Sequence, residues 1–210
     1  MRRAVAAGVG NMLTILAAIV MTLSPSSGQG WLQEFTATYS DKYPLKTVTF
    51  YASNGAQKCE VKYTVGTGLL TLSDGVTIAG NVQAGTGPII RNAACVLDTP
   101  RSAVKVAAKE ITMRLTLALE IRGPSSLWMA AVSAKETQAP VSKGTWTVPP
   151  VAVTISPISA EVLPCKSQKF VANVANAWNK AVTWTIVPAT GRIEVVDGNT
   201  AVYYSPCTRP

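Results

Sequence analysis

Along most of the chain the apolar positions recur every second residue, and almost nowhere with the 3.6-residue period of a helix. The clearest run is Ile111 to Ile121, where every odd position is apolar and the even ones are mostly polar, so one face of a strand there is expected to be core. Phe35 to Tyr39, Lys46 to Tyr51, Glu60 to Val65 and Leu69 to Leu72 are shorter runs rich in β-branched and aromatic residues. Asn54-Gly55, Gly66 to Gly68, Ser73-Asp74-Gly75 and Gly80-Asn81 punctuate them as turns. Leu127 to Val132 and Thr145 to Val148 add two further strands, and residues 101–110 read as strand or loop because they lack a helix cap. Short strands at this spacing predict an all-β chain of sandwich or barrel type.

The pattern restarts after Pro149-Pro150. Six runs follow, Val151–Ser156, Ala160–Leu163, Ser167–Val174, Ala181–Val187, Ile193–Val196 and Ala201–Ser205. Val151-Ala-Val-Thr-Ile-Ser-Pro157, Gln168-Lys-Phe-Val-Ala-Asn-Val174, Ala181-Val-Thr-Trp-Thr-Ile-Val187, Gly191-Arg-Ile193 and the aromatic Val202-Tyr-Tyr-Ser-Pro206 together resemble the bacterial Ig-like repeat, over residues 151–206. Trp184, inside a β-branched run, is expected to pack its indole between sheets. An Ig-like sandwich needs about seven strands, and the chain stops at Cys207-Thr-Arg-Pro210 without the hairpin that closes the repeat. The second domain is therefore expected to be incomplete, with a sheet edge or apolar face open to self-association or to a strand donated by a partner.

Residues 31–149 resemble, more faintly, a β-sandwich repeat of bacterial secreted and surface proteins. The likeness rests on Phe35, Tyr39-Ser40-Asp41, Asn92 to Cys95, the Leu115 to Leu119 strand and the closing Gly144-Thr-Trp-Thr-Val-Pro149. It implies spacer, stalk or accessory modules and carries over no catalytic residue. The expected organisation is a signal peptide over 1–28, a β-sandwich domain over 29–149 and a C-terminally truncated Ig-like domain over 150–210. That makes two tandem Ig-like sandwiches.

The signal peptide is read from Arg2-Arg3 followed by the apolar run Met12 to Leu23, too short to span a bilayer. Ser26-Ser27-Gly28 offers small residues for cleavage after Gly28, with Gly30 as the alternative, so the chain is expected to be exported to the periplasm, the cell surface or the medium. Export changes the meaning of the cysteines. Cys59, Cys95, Cys165 and Cys207 are even in number and lie nowhere near the close spacing of a thiolate zinc site. Of the three pairings available, Cys59 with Cys95 and Cys165 with Cys207 keep each bridge within one domain.

Composition narrows the chemistry further. None of the 210 residues is histidine, which excludes Ser-His-Asp and Cys-His catalysis and His-ligated metals. The 11 acidic residues are scattered, so no calcium loop or magnesium site can be written onto them, and Gly66-Thr-Gly68 and Gly85-Thr-Gly87 lack the continuation of a phosphate loop. Neither cofactor nor metal is expected. An enzyme would have to rely on a carboxylate pair such as Glu60 and Glu120 brought together by folding. Lys105, Lys109, Arg114 and Arg122 could form a cationic stripe, but alternate solvent-facing positions explain them as well, and no nucleic-acid partner is expected.

Two non-catalytic readings remain. The first is a structural or adhesive surface module. The second is a carbohydrate- or cell-wall-polymer-binding accessory domain, which requires coplanar exposed rings among Trp31, Trp128, Trp146 and Trp178. Trp178 and Trp128 are the candidate ligand contacts, whereas Trp146 is expected in the core.

Overall fold

The computed structural model describes residues 18–207, and the chain is all-β. Two sheets form a first sandwich. One runs in the order β1 (Val20–Ser24), β3 (Leu32–Ser40), β11 (Glu110–Leu119), β9 (Cys95–Leu97), β8 (Ile90–Arg91), with β10 (Ala103–Ala107) also paired to β11. The other runs β2 (Ser27–Gln29), β13 (Thr137–Val148), β12 (Gly123–Ser133), β4 (Leu45–Ser53), β5 (Lys58–Thr64), β6 (Leu69–Ser73), β7 (Ile78–Val82). All the ladders are antiparallel except β2 with β13.

The period-two pattern builds the core directly. Phe35, Ala37 and Tyr39 of β3 and Met113, Leu115 and Leu117 of β11 share one buried cluster with Val48 and Phe50 of β4, Val61 of β5, Leu70 and Leu72 of β6, and Leu127 and Met129 of β12. At its centre the Phe35 ring lies 5.1 Å from that of Phe50 and meets Trp146 edge-on at 5.2 Å. Asn54 and Asp74 fix the turns after β4 and β6 by accepting backbone N–H bonds from Ala56 and Gln57, and from Val76 and Thr77. The same bonds hold the exposed Asp74 carboxyl below its ordinary pKa.

Two ties run between the sheets. The Cys59–Cys95 disulfide joins β5 to β9 in the buried interior, and the Tyr39 hydroxyl of β3 donates to the Thr49 carbonyl of β4 at 2.8 Å. Burial pushes the Tyr39 phenol well above its usual 10.0. Because the unfolded chain ionises this phenol first, the stability it contributes is full below about pH 10 and is lost as the pH rises toward the folded-state value. Tyr39→Phe is expected to cost about 1–2 kcal/mol at neutral pH, since the Thr49 carbonyl loses a buried donor. The variant should also show a shallower loss of stability between pH 9 and 11, both effects being read by urea denaturation.

The sandwich begins earlier in the chain than expected. β1 pairs with β3 along its full length and β2 with β13, while Ile19 and Met21 join the core. Cleavage after Gly28 would remove β1 and most of β2, so the boundary at residue 29 does not coincide with the edge of the folded unit. The end of that apolar run forms β1, in which Met21 and Leu23 fall on the alternate positions that face the core. Met1 to Ala17, the remainder of that expected leader, lies outside the described residues. Residues 101–110, read as strand or loop, hold both: they start at the end of a short 3-10 turn, Thr99–Arg101, capped by Asp98, form β10 and turn into β11.

The second unit is one sheet, in the order β14 (Ala152–Ser156), β15 (Ser167–Ala175), β17 (Thr200–Tyr204), β16 (Arg192–Val195). Four of the six expected runs are strands. Ala160–Leu163 forms none: it lies between Pro157 and Pro164, and Ile158 and Leu163 are 89% and 71% exposed. Ala181–Val187 also forms none, although Val182, Trp184 and Ile186 keep the alternation by being half-buried between exposed neighbours. The alternation persists, but among the described residues no strand pairs with this segment, whose one backbone bond to another part of the unit runs from the Val182 N–H to the Gly198 carbonyl. The described residues of this unit form one sheet, not the two expected to enclose the Trp184 indole, whose Nε1 is buried with no hydrogen-bond partner among the described residues. Ala172, Val174 and Ala201 are buried, whereas Val153, Ile155 and Val195 stay exposed.

Where the two units meet, the Arg122 guanidinium donates to the carbonyls of Pro149 and Asn176 at 3.1 and 2.8 Å. The Asn176 amide in turn donates to Pro150, and the Lys180 ammonium lies 5.0 Å from the Trp31 ring centre.

Candidate functional site

The outer face of the second sheet brings two aromatic rings and a row of small hydroxyl side chains together. Register sets it up. Trp128 of β12 stands directly opposite Tyr51 of β4, which stands opposite Glu60 of β5. Their inward neighbours Leu127, Met129, Phe50, Ala52 and Val61 are fully buried, so alternation turns the two aromatic rings outward. The rings are nearly parallel, 9° apart with centres separated by 6.0 Å.

One step further along the same face lie residues with small side chains. Ser126 of β12 is opposite Ser53 of β4 on one side and Thr145 of β13 on the other. These hydroxyls floor an open groove of about 510 Å³, walled by the Tyr51 and Trp128 rings and bordered by Asn54-Gly55 and Pro124. No residue lining it is charged. Beyond Tyr51, the Lys58 ammonium sits 4.1 Å from the centre of that ring and is ion-paired with Glu60, whose carboxylate also accepts from the Ser73 hydroxyl at 3.2 Å. The Tyr51 phenol is raised from its ordinary pKa, chiefly by burial and also by Glu60, with Lys58 acting the other way.

The structure distributes the sequence candidates unevenly. Trp128 is at the groove, but Trp178 lies in the loop after β15 and is not among the lining residues. Trp31 is half-buried beside Lys180. Trp146 is in the core, its Nε1 donating to the Gly30 carbonyl at 2.8 Å. The partner ring proved to be a tyrosine, which a comparison of tryptophans alone could not find. Its only trace in the sequence is that Tyr51 and Ser53, like Trp128 and Ser126, are two apart and outward-facing; that the pairs adjoin depends on the pairing of β4 with β12.

The carboxylates considered for catalysis are each engaged with a cation, Glu60 with Lys58 and Glu120 with Arg91. The cationic residues do not make one stripe, because Arg114 pairs with Glu34 across β11 and β3 while Arg122 turns into the junction between the units. No cluster of three metal-ligating side chains occurs among the described residues. The cysteines pair as Cys59–Cys95 and Cys165–Cys207, with none free, so the folded chain belongs to an oxidising environment.

No family model matches the chain, and no curated protein matches it. Among solved structures, a chain from "Structural basis of T cell specificity and activation by the bacterial superantigen toxic shock syndrome toxin-1" is 11% identical, with a TM-score of 0.32, the match covering 62% of this chain and 98% of that one. A likeness at that level carries no argument about function.

Proposed function

We propose that the chain is a non-catalytic, exported bacterial module that adheres to a neutral carbohydrate or cell-wall polymer through the groove beside Tyr51 and Trp128. The parallel ring pair next to a hydroxyl floor is the observation that carries this reading. A sugar ring presents axial C–H groups on one face and hydroxyls around its rim, so it needs an aromatic surface and nearby small polar groups together. Tyr51 and Trp128 supply the first, and Ser53, Ser126, Thr145 and Asn54 the second. The absence of charge in the lining favours a neutral polymer over a polyanion, because an anionic chain would leave its charges unpaired there. Both resemblances noted in the sequence, to secreted and surface repeats, agree with such an accessory role.

The test is a glycan and cell-wall-polymer array on the whole protein, followed by calorimetric titration of the best ligand. An aromatic contact of this kind is worth about 1–1.5 kcal/mol, so Trp128→Ala is expected to weaken binding on the order of tenfold, with Tyr51→Ala similar and Trp178→Ala without effect. Affinity should change little between low and physiological salt. Binding that survives loss of both rings would refute the assignment.

A further inference from the structure

The third sheet ends in two edges of opposite character. β16 carries Arg192 and Glu194, ion-paired at 3.2 Å, with the Arg192 guanidinium also over the Tyr204 ring. Charges of this kind protect a sheet edge from pairing with another chain. β14 has no such protection. All five of its residues are exposed, and no charged residue occurs between Lys143 and Glu161. Its backbone pairs with β15 alone, so its outward N–H and C=O groups have no protein partner among the described residues.

We propose that β14 is the contact through which two copies of this chain dimerise, the strands pairing antiparallel about a two-fold axis at Thr154. Prolines set the limits of the pairing. Pro150 and Pro157 cannot donate a ladder bond, which confines it to the stretch between them. Side chains set the register. An antiparallel pair centred on a residue keeps the inner faces of both copies on the same side, and centring it on Thr154 uses the whole of β14. Val153 then lies opposite Ile155 twice, and Thr154 opposite its own copy.

A second copy suits this edge for two reasons. Val153 and Ile155 are 59% and 41% exposed in the single chain, and the pairing gathers four β-branched side chains on the inner face while placing a threonine pair on the other. The uncharged stretch also keeps like charges away from the contact, although the chain as a whole has a formal charge of +8. The strand is therefore complementary to itself in a register that needs no other sequence.

Sedimentation velocity of the full chain over a concentration series is expected to show a reversible monomer–dimer equilibrium. Thr154→Lys sets two ammonium groups opposite each other across the axis and should weaken the dimer at least tenfold, and Thr154→Glu should do the same with carboxylates. An equimolar mixture of the two variants should recover the parent's affinity as a heterodimer, an outcome that misfolded variants could not give. The proposal is overturned by a chain that stays monomeric throughout, by variants that dimerise as tightly as the parent, or by a mixture that remains dissociated.

Discussion

Replacing Cys59 and Cys95 together by alanine is expected to lower the stability of the first sandwich by about 4 kcal/mol, the chain-entropy value for a bond closing a separation of 36 residues. The bond joins the two sheets in the buried interior, and both cysteines are fully buried, so its removal also leaves the surrounding core short of contact. A loss of this size is a large share of the net stability of a small domain. It should lower the melting temperature by roughly 15 °C. Calorimetry of the double variant against the parent measures it. A change under about 1 kcal/mol would mean that apolar packing and the Tyr39 hydrogen bond hold the two sheets without help from the disulfide.

The second large effect is expected at Trp146. Its indole is buried, meets Phe35 edge-on and donates to the Gly30 carbonyl. It also lies so close to Gly28 that a Cβ at that position would come within 2.6 Å of the ring, with Gly28 at a φ of +150°. The side chain thus holds the segment from Ser27 to Gly30 against the end of the sandwich, and β13 holds it by three parallel pairs. Trp146→Ala should cost about 3–5 kcal/mol. Amide exchange should localise the damage, with protection lost over Ser27 to Gly30 and largely retained in β5 and β6. Uniform loss across both sheets would show that β2 and β13 are not a separable part of the fold.

How far the sequence disclosed this arrangement differs from strand to strand. β3, β4, β5, β6, β11 and β12 lie where alternation predicts them; β3, β4, β5 and β12 bury alternate residues, whereas β11 is buried on both faces from Leu115 to Leu119, Thr116 and Ala118 included. The disulfide pairing also followed from spacing and the proline boundary. β1 and β2 escaped notice because an apolar run after two arginines satisfies the physics of an export signal and of a buried strand equally well. The run from Ala181 to Val187 failed in the other direction. Its periodicity is intact, but a ladder needs a neighbour, and periodicity reports only which side of a segment faces apolar surroundings. The groove was half legible: Trp128 stood out by residue type, while Tyr51 required the register of two strands separated by more than seventy positions, which no local pattern encodes.

The two disulfides have a consequence under mechanical load. A protein anchored at one end and pulled at the other lengthens as its folded parts give way, up to the contour length of the freed chain. Here the covalent path crosses from Cys59 to Cys95 and from Cys165 to Cys207 without traversing the 36 and 42 positions that separate them. At about 3.4 Å per extended residue, roughly 120 and 140 Å of chain are withheld from extension. The shielded segments include β6 to β8 in the first unit and the whole of β15, β16 and β17 in the second, so tension on the ends would strip the outer strands while these segments stay spanned by covalent bonds.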